Sequence, residues 1–326
     1  MRTRDLQIML VLACVCAGNA AGQRNARMVT KADVERWMTE LSNWGRWGKD
    51  DELGAMNLIT EETRKAAATL VKSGTPVSLA RRAEKEKAAD NSSPFHHTMF
   101  DRPASSPYWS DSYEVAYHGY GHTHLDALCH IVHNGKMFNG VPASTVTDKG
   151  ASKLSVFGLR SGIFARGVLI DIPELKGVPY LEPGTPIYPE DLDAWEKKTG
   201  VRVRSGDVFL LRTGRWTLRD RQGAWDVGQS TAGLHVSCVR WLKQRDIAIL
   251  GSDAAADVIP SGVPGEVQPV HQLAIVAMGV PILDNCDLEE LSATAKRLGR
   301  WDFLLTAAPL PVGGGTGSPI NPIAIF

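Results

Sequence analysis

The stretch His118-Gly119-Tyr120-Gly121-His122-Thr123-His124-Leu125-Asp126-Ala127-Leu128-Cys129-His130 gathers four of the chain's nine histidines and a carboxylate into thirteen residues. His122, His124 and Asp126 alternate with Thr123 and Leu125, so an extended backbone sends all three polar side chains to one face, because strand side chains repeat every second residue. His118 shares that parity. Imidazole with carboxylate is a ligand set for zinc or manganese, and the aliphatic neighbours are those of a buried strand rather than of a polar tail. His96, His97 and His133 fall outside the pattern and read as separately satisfied histidines.

Downstream, apolar runs at 167–172, 208–212, 247–250 and 280–283 read as strands. Between them, residues 189–198, a segment holding Val236, Val239, Trp241 and Leu242, and residues 270–278 stopped by Gly279 read as helices. Strands alternating with helices imply an α/β layer architecture. His271 falls at the start of the last helix and Asp284 at the carboxyl end of the strand after it, where open α/β sheets gather site residues.

Upstream the chain is less regular. Thr30 caps a predicted helix whose Val34, Trp37, Met38 and Leu41 form one stripe, and Thr60-Glu61-Glu62 starts another, with Gly74 as its stop and a short strand at 76–80. Asn43-Trp44-Gly45-Arg46-Trp47-Gly48 breaks the first helix. Residues 82–112, charged and then rich in Ser, Pro and His, read as a long loop or flap leading into the histidine cluster.

Composition bounds the function. With 326 residues, 43% of them hydrophobic, the chain can bury a large core, and 36 basic residues balance 36 acidic ones without a basic stripe. That excludes an electrostatic case for nucleic acid or an anionic membrane and leaves a small molecule as the expected partner. Arg2 and Arg4 before the apolar run 6–17, followed by small residues, read as a signal peptide (residues 1–22) removed on export to the periplasm or exterior, leaving 23–326 as one domain. The run is too short to span a bilayer. Cys129, Cys238 and Cys286 then remain, an odd number that gives no disulfide framework and no thiolate metal pair.

Several separated stretches together resemble the cyclase-type metal-dependent hydrolases, a family that includes bacterial kynurenine formamidase and isatin hydrolase. Its signature, His-x-Gly-Thr-His-x-Asp-x-x-x-His, is matched in its second half by Thr123-His124-Leu125-Asp126-Ala127-Leu128-Cys129-His130. Further echoes are Gly206-Asp207-Val208 with Arg212-Thr213-Gly214, Gly251-Ser252-Asp253, His271 with Asp284, and Gly313-Gly314-Gly315-Thr316-Gly317-Ser318-Pro319. The segment 43–48 and His118-Gly119 resemble a longer branch of that family. The resemblance implies a mixed β-sheet core with flanking helices, of the swivelling β/β/α type, and a homodimer or higher homo-oligomer.

It also implies roles. His124 and Asp126 become metal ligands, His130 the catalytic histidine, and His271 with Asp284 a second ligand pair or a group that orients water. Where shorter members place their first histidine, this chain has Tyr120, and His122 replaces the glycine of the motif. The third ligand is then His122 or His118, with His122 slightly favoured because His-x-His is a compact chelate. The expected chemistry is hydrolysis, by metal-activated water, of an amide or ester (lactone, lactam or N-formyl) bond in a small cyclic or aromatic molecule. The competing readings are a metal-dependent oxygenase or isomerase, and a non-catalytic metal- or ligand-binding envelope protein. A serine hydrolase is disfavoured because no Gly-x-Ser-x-Gly elbow is present.

Overall fold

The computed structural model describes residues 28–326, so the signal-peptide expectation lies outside the described residues. Nine strands form one sheet: β1 (Pro76–Ser78), β2 (His124–Asp126), β3 (Ile163–Asp171), β4 (Val208–Arg212), β5 (Ile249–Ser252), β6 (Ile282–Asp284), β7 (Asp302–Ala307), β8 (Gly317–Pro319) and β9 (Ile323–Ile325). Their spatial order is β1-β9-β7-β3-β4-β5-β6-β2-β8. The middle four, β3 to β6, are parallel, and antiparallel strands extend both edges. This is the mixed sheet with flanking helices that the sequence implied.

Helices reach the sheet because its parallel strands are apolar on both faces. Val168, Ile170, Phe209, Leu211, Leu250 and Ile282 join one buried cluster with Val34, Leu192, Trp195 and Leu242, while Leu125, Leu169, Val208, Leu210, Ile249 and Leu283 join a second with Leu291 and Ala295. The helices Lys31–Glu40, Pro189–Thr199 and Cys238–Arg245 therefore cover the first face, and Glu289–Leu298 the second. The fully buried Trp195 also donates its indole N–H to the Leu169 carbonyl at 2.8 Å. Truncating such a residue costs about 3–5 kcal/mol.

The irregular first third has a definite role. The segment predicted as one helix over 270–278 is a short α-helix, Pro269–Gln272, continued as a π-helix, Leu273–Met278. Its last carbonyls are claimed from outside: Trp44 Nε1 bonds Val276, Asn43 bonds Ala277 and Met278, and Ala55 bonds Gly279. Those partners compensate for the altered helical ladder.

The segment 82–112 is not structureless. His96–Met99 and Asp111–Glu114 pair as an antiparallel hairpin, and before it Asp90 is buried against Arg215 and Arg219. Among the described residues no helix is long and apolar enough to cross a membrane.

Candidate metal centre

Strand register decides which side chains meet. β2 lies between β6 and β8, with His124 opposite Asp284 and Asp126 opposite Ile282. Side chains at paired and second-neighbour positions share a face, so His124, Asp126 and Asp284 leave the sheet together, on the side where Ile282 packs. Leu125 and Leu283 point the other way into the second core. The helix Pro269–Gln272 lies over the same first face and adds His271.

These groups converge on Asp126. His118 Nδ1 lies 3.0 Å from Asp126 Oδ1, His124 Nε2 3.4 Å from the same oxygen, His130 Nε2 3.8 Å from Oδ2, and His271 Nε2 4.0 Å from Oδ2. His271 Nε2 is also 3.2 Å from Asp284 Oδ2. Ligand atoms of His118, Asp126 and His130 lie within 4.8 Å of one another, as do those of His124, Asp126 and Asp284. Asp126 is common to both sets.

The donor set fits a divalent cation. Asp284 Oδ1 is buried without a hydrogen-bond partner, a costly arrangement unless an ion answers it, and His118 Nδ1 and Asp126 Oδ1 face each other at 3.0 Å as a buried ion-pair contact outside hydrogen-bond geometry. Two rings have their proton positions set from behind. The backbone carbonyl of His122 can only accept, so His124 Nδ1, 2.8 Å away, carries the proton and leaves the Nε2 lone pair toward Asp126. His271 Nδ1 is 2.7 Å from Asp257 Oδ2, which orients it in the same way. Metal-ligating histidines are commonly held through the second ring nitrogen like this.

The electrostatics agree. Burial resists charge on Asp126, yet His118 and His124 outweigh it and hold this carboxyl below the usual carboxylate range. Burial likewise opposes a proton on His271, but Asp284 and Asp257 overcome it and raise the pKa well above the ordinary value. A cation would meet the same negative charge. His130 differs: burial dominates over the pull of Asp126 and lowers its pKa, so the ring is neutral at neutral pH and free to take a proton. It stacks on His118 with ring centres 3.9 Å apart. The side chains of His118 and His130 keep 30% and 27% of their surface exposed while Asp126 keeps 1%, so these two histidines form the solvent side of the cluster.

The slight preference for His122 over His118 is not matched by where the two rings lie. His122 Nε2 donates to the Ser93 carbonyl at 2.9 Å, on the flap side, and belongs to neither convergent set. Its backbone carbonyl, not its ring, serves the cluster. The parity argument assumed a strand running from 118, but strand geometry begins only at His124, and the preceding loop turns His118 inward. His118 Nε2 is 3.0 Å from Thr316 Oγ1, in the glycine-rich C-terminal segment.

Asp257 was not foreseen. It accepts from the backbone N–H groups of Val270 and His271, at 2.7 and 3.1 Å, as well as from the His271 ring. In the sequence it follows Asp253 after three alanines with no motif of its own, and only its fold position gives it three donors.

The Cyclase family model matches residues 70–256, more than half of the chain. A solved structure described as a novel cyclase is 30% identical, with a TM-score of 0.80, over 89% of this chain and 99% of that one. Isatin hydrolase A from Ralstonia solanacearum has 20% identity and a TM-score of 0.53, covering 77% of this chain and 91% of its own. Isatin hydrolase A from Labrenzia aggregata has 18% identity and a TM-score of 0.54, covering 80% and 96%. At these identities the two isatin hydrolases show a shared fold. No curated protein matches the sequence. The model match, together with the 30% identical relative over nearly the whole chain, shows that this chain belongs to the cyclase family.

Proposed function

We propose that the protein is a metal-dependent hydrolase that cleaves an amide or ester bond, of lactone, lactam or N-formyl type, in a small cyclic or aromatic molecule. One observation carries the reading: the unpartnered Asp284 oxygen, His118 and two imidazoles held from behind converge around Asp126, with His130 on the solvent side. Asp126, the residue the two convergent sets share, would hold a zinc or manganese ion with His118 from one set and His124 from the other, with Asp284 and His271 completing that site or forming a second. Such an ion supplies electrostatic activation of water and polarisation of a carbonyl.

The chain's own groups do the rest. His130 takes a proton at Nε2 and returns it to the leaving group, and its stack on His118 fixes the ring plane for both transfers. Asp257 holds His271, and Thr316 holds His118. The similarity to isatin hydrolases, at fold level, supports cyclic amides as the first substrates to try.

Export is part of the proposal and rests on the segment 1–22. So is self-association. The hairpin His96–Met99/Asp111–Glu114 and its loop expose Met99, Phe100, Tyr108, Trp109 and Tyr113, and an isolated two-stranded hairpin is marginal in water unless something covers it. Turnover of isatin-like, lactone and N-formyl compounds by zinc- and manganese-loaded protein tests the reaction. No turnover of any of them by metal-loaded protein would refute the hydrolase reading.

A further inference from the structure

The loop 118–123 carries His118 and delivers His124, yet it has no strand pairing of its own. A buried polar pair holds three of its carbonyls. Asn285 Nδ2 donates to the carbonyl of Gly119 at 2.7 Å and to that of His122 at 3.1 Å, and Arg215 donates to the carbonyl of Tyr120 at 2.5 Å. Arg215 also donates to Asn285 Oδ1 at 2.5 Å, and Thr123 Oγ1 to the Asn285 carbonyl at 2.7 Å.

The amide orientation is unambiguous. A guanidinium only donates, so Oδ1 must face Arg215, and backbone carbonyls only accept, so the NH2 must face the loop. Asn285 directly follows Asp284, and its φ of 55° is in the left-handed region that asparagine tolerates. The His122 carbonyl it holds is the one that receives His124 Nδ1–H.

Taking the proposed metal centre as its premise, we infer that Asn285, locked by Arg215, is the positioning residue of that centre. It sets where His118 enters and which nitrogen of His124 keeps its lone pair. Buried groups that orient ligands in this way typically account for 10–100-fold in metal affinity. A structural asparagine would not move affinity in a folded protein.

The test compares zinc and manganese affinity of the unaltered chain, Asn285→Gly and Asn285→Asp, by competition with a chromophoric chelator. Thermal melting of each metal-free protein runs alongside. Glycine keeps the positive φ without the amide, and aspartate keeps shape and φ while turning an oxygen toward two carbonyls. Both variants should melt cooperatively and bind roughly 10–100-fold more weakly. Wild-type affinity in either folded variant would overturn the inference, and so would loss of cooperative melting in both, which would make Asn285 purely structural. If the unaltered chain bound neither metal, the metal-centre reading itself would fall, and the clamp's purpose with it.

Discussion

Replacing Asp257 with asparagine removes one charge and changes no volume, which makes it a clean probe of the support behind His271. Oδ1 of Asp257 accepts from Val270 N–H, and Oδ2 accepts from His271 N–H and Nδ1–H. Either orientation of an amide there faces an N–H with its NH2. The orientation that keeps an oxygen on both His271 donors sets the NH2 against Val270 N–H, at the start of the helix that carries His271. The ring then keeps its tautomer but loses a charged acceptor behind Nδ1 and the anchoring of its helix. A hydrogen bond to a charged group contributes about 1.5–3 kcal/mol, and each ~1.4 kcal/mol is tenfold in affinity. Asp257→Asn should therefore weaken zinc or manganese binding by about 10–100-fold. Chelator competition reads the affinity, and a melt confirms the fold. A folded Asp257→Asn protein that binds as tightly as the unaltered chain would show that Asp257 does not support His271 as a ligand.

Three further outcomes are expected. His130→Ala should lower kcat by roughly 10²–10⁴-fold with metal content unchanged, measured by turnover and by metal analysis of the same sample; retained turnover would remove its role as proton carrier. Arg212, at the end of β4, bonds Asp171 at 3.0 Å and Glu289 at 2.6 Å while nearly buried, so Arg212→Met should cost about 3–5 kcal/mol by leaving the buried Asp171 carboxylate without its counter-charge. A denaturant melt that changes by less than about 1 kcal/mol would contradict that reading. Asp246 is held below its usual range by the hydrogen bond from Arg46, so its stabilisation is full above the unfolded pKa and disappears as pH falls through the lowered folded value. Asp246→Asn should thus cost about 1 kcal/mol at pH 7 and nothing in strong acid, by urea melts at the two extremes; a difference that persisted in acid would not come from ionisation.

Much of the fold was legible because parallel strands buried on both faces must be continuously apolar. Residues 208–212 show this, and their strand has the predicted limits. Asp284 and His271 were also placed correctly at a strand end and a helix start. The choice between His118 and His122 was not legible, because parity is a property of strands and the loop 118–123 is shaped by Asn285 and Arg215, which are far away in sequence. Asp257 carried no local signal for the same reason. The hairpin at 96–114 was hidden by polar strands exposed on both faces, which leave no alternation to read. The π-helical turn at 273–278 depends on donors from residues 43–55, a contact that no helical periodicity records.

In the proposed site His118, His124 and Asp126 hold a divalent cation while His122 does not. Anomalous diffraction from crystals grown with manganese or zinc, collected on both sides of the metal edge, tests it most directly. A peak is expected within about 2.0–2.3 Å of His118 Nδ1, His124 Nε2 and an Asp126 oxygen, with His122 still bonded to Ser93. A peak ligated by the His122 ring, or none at Asp126 in metal-saturated crystals, would contradict it.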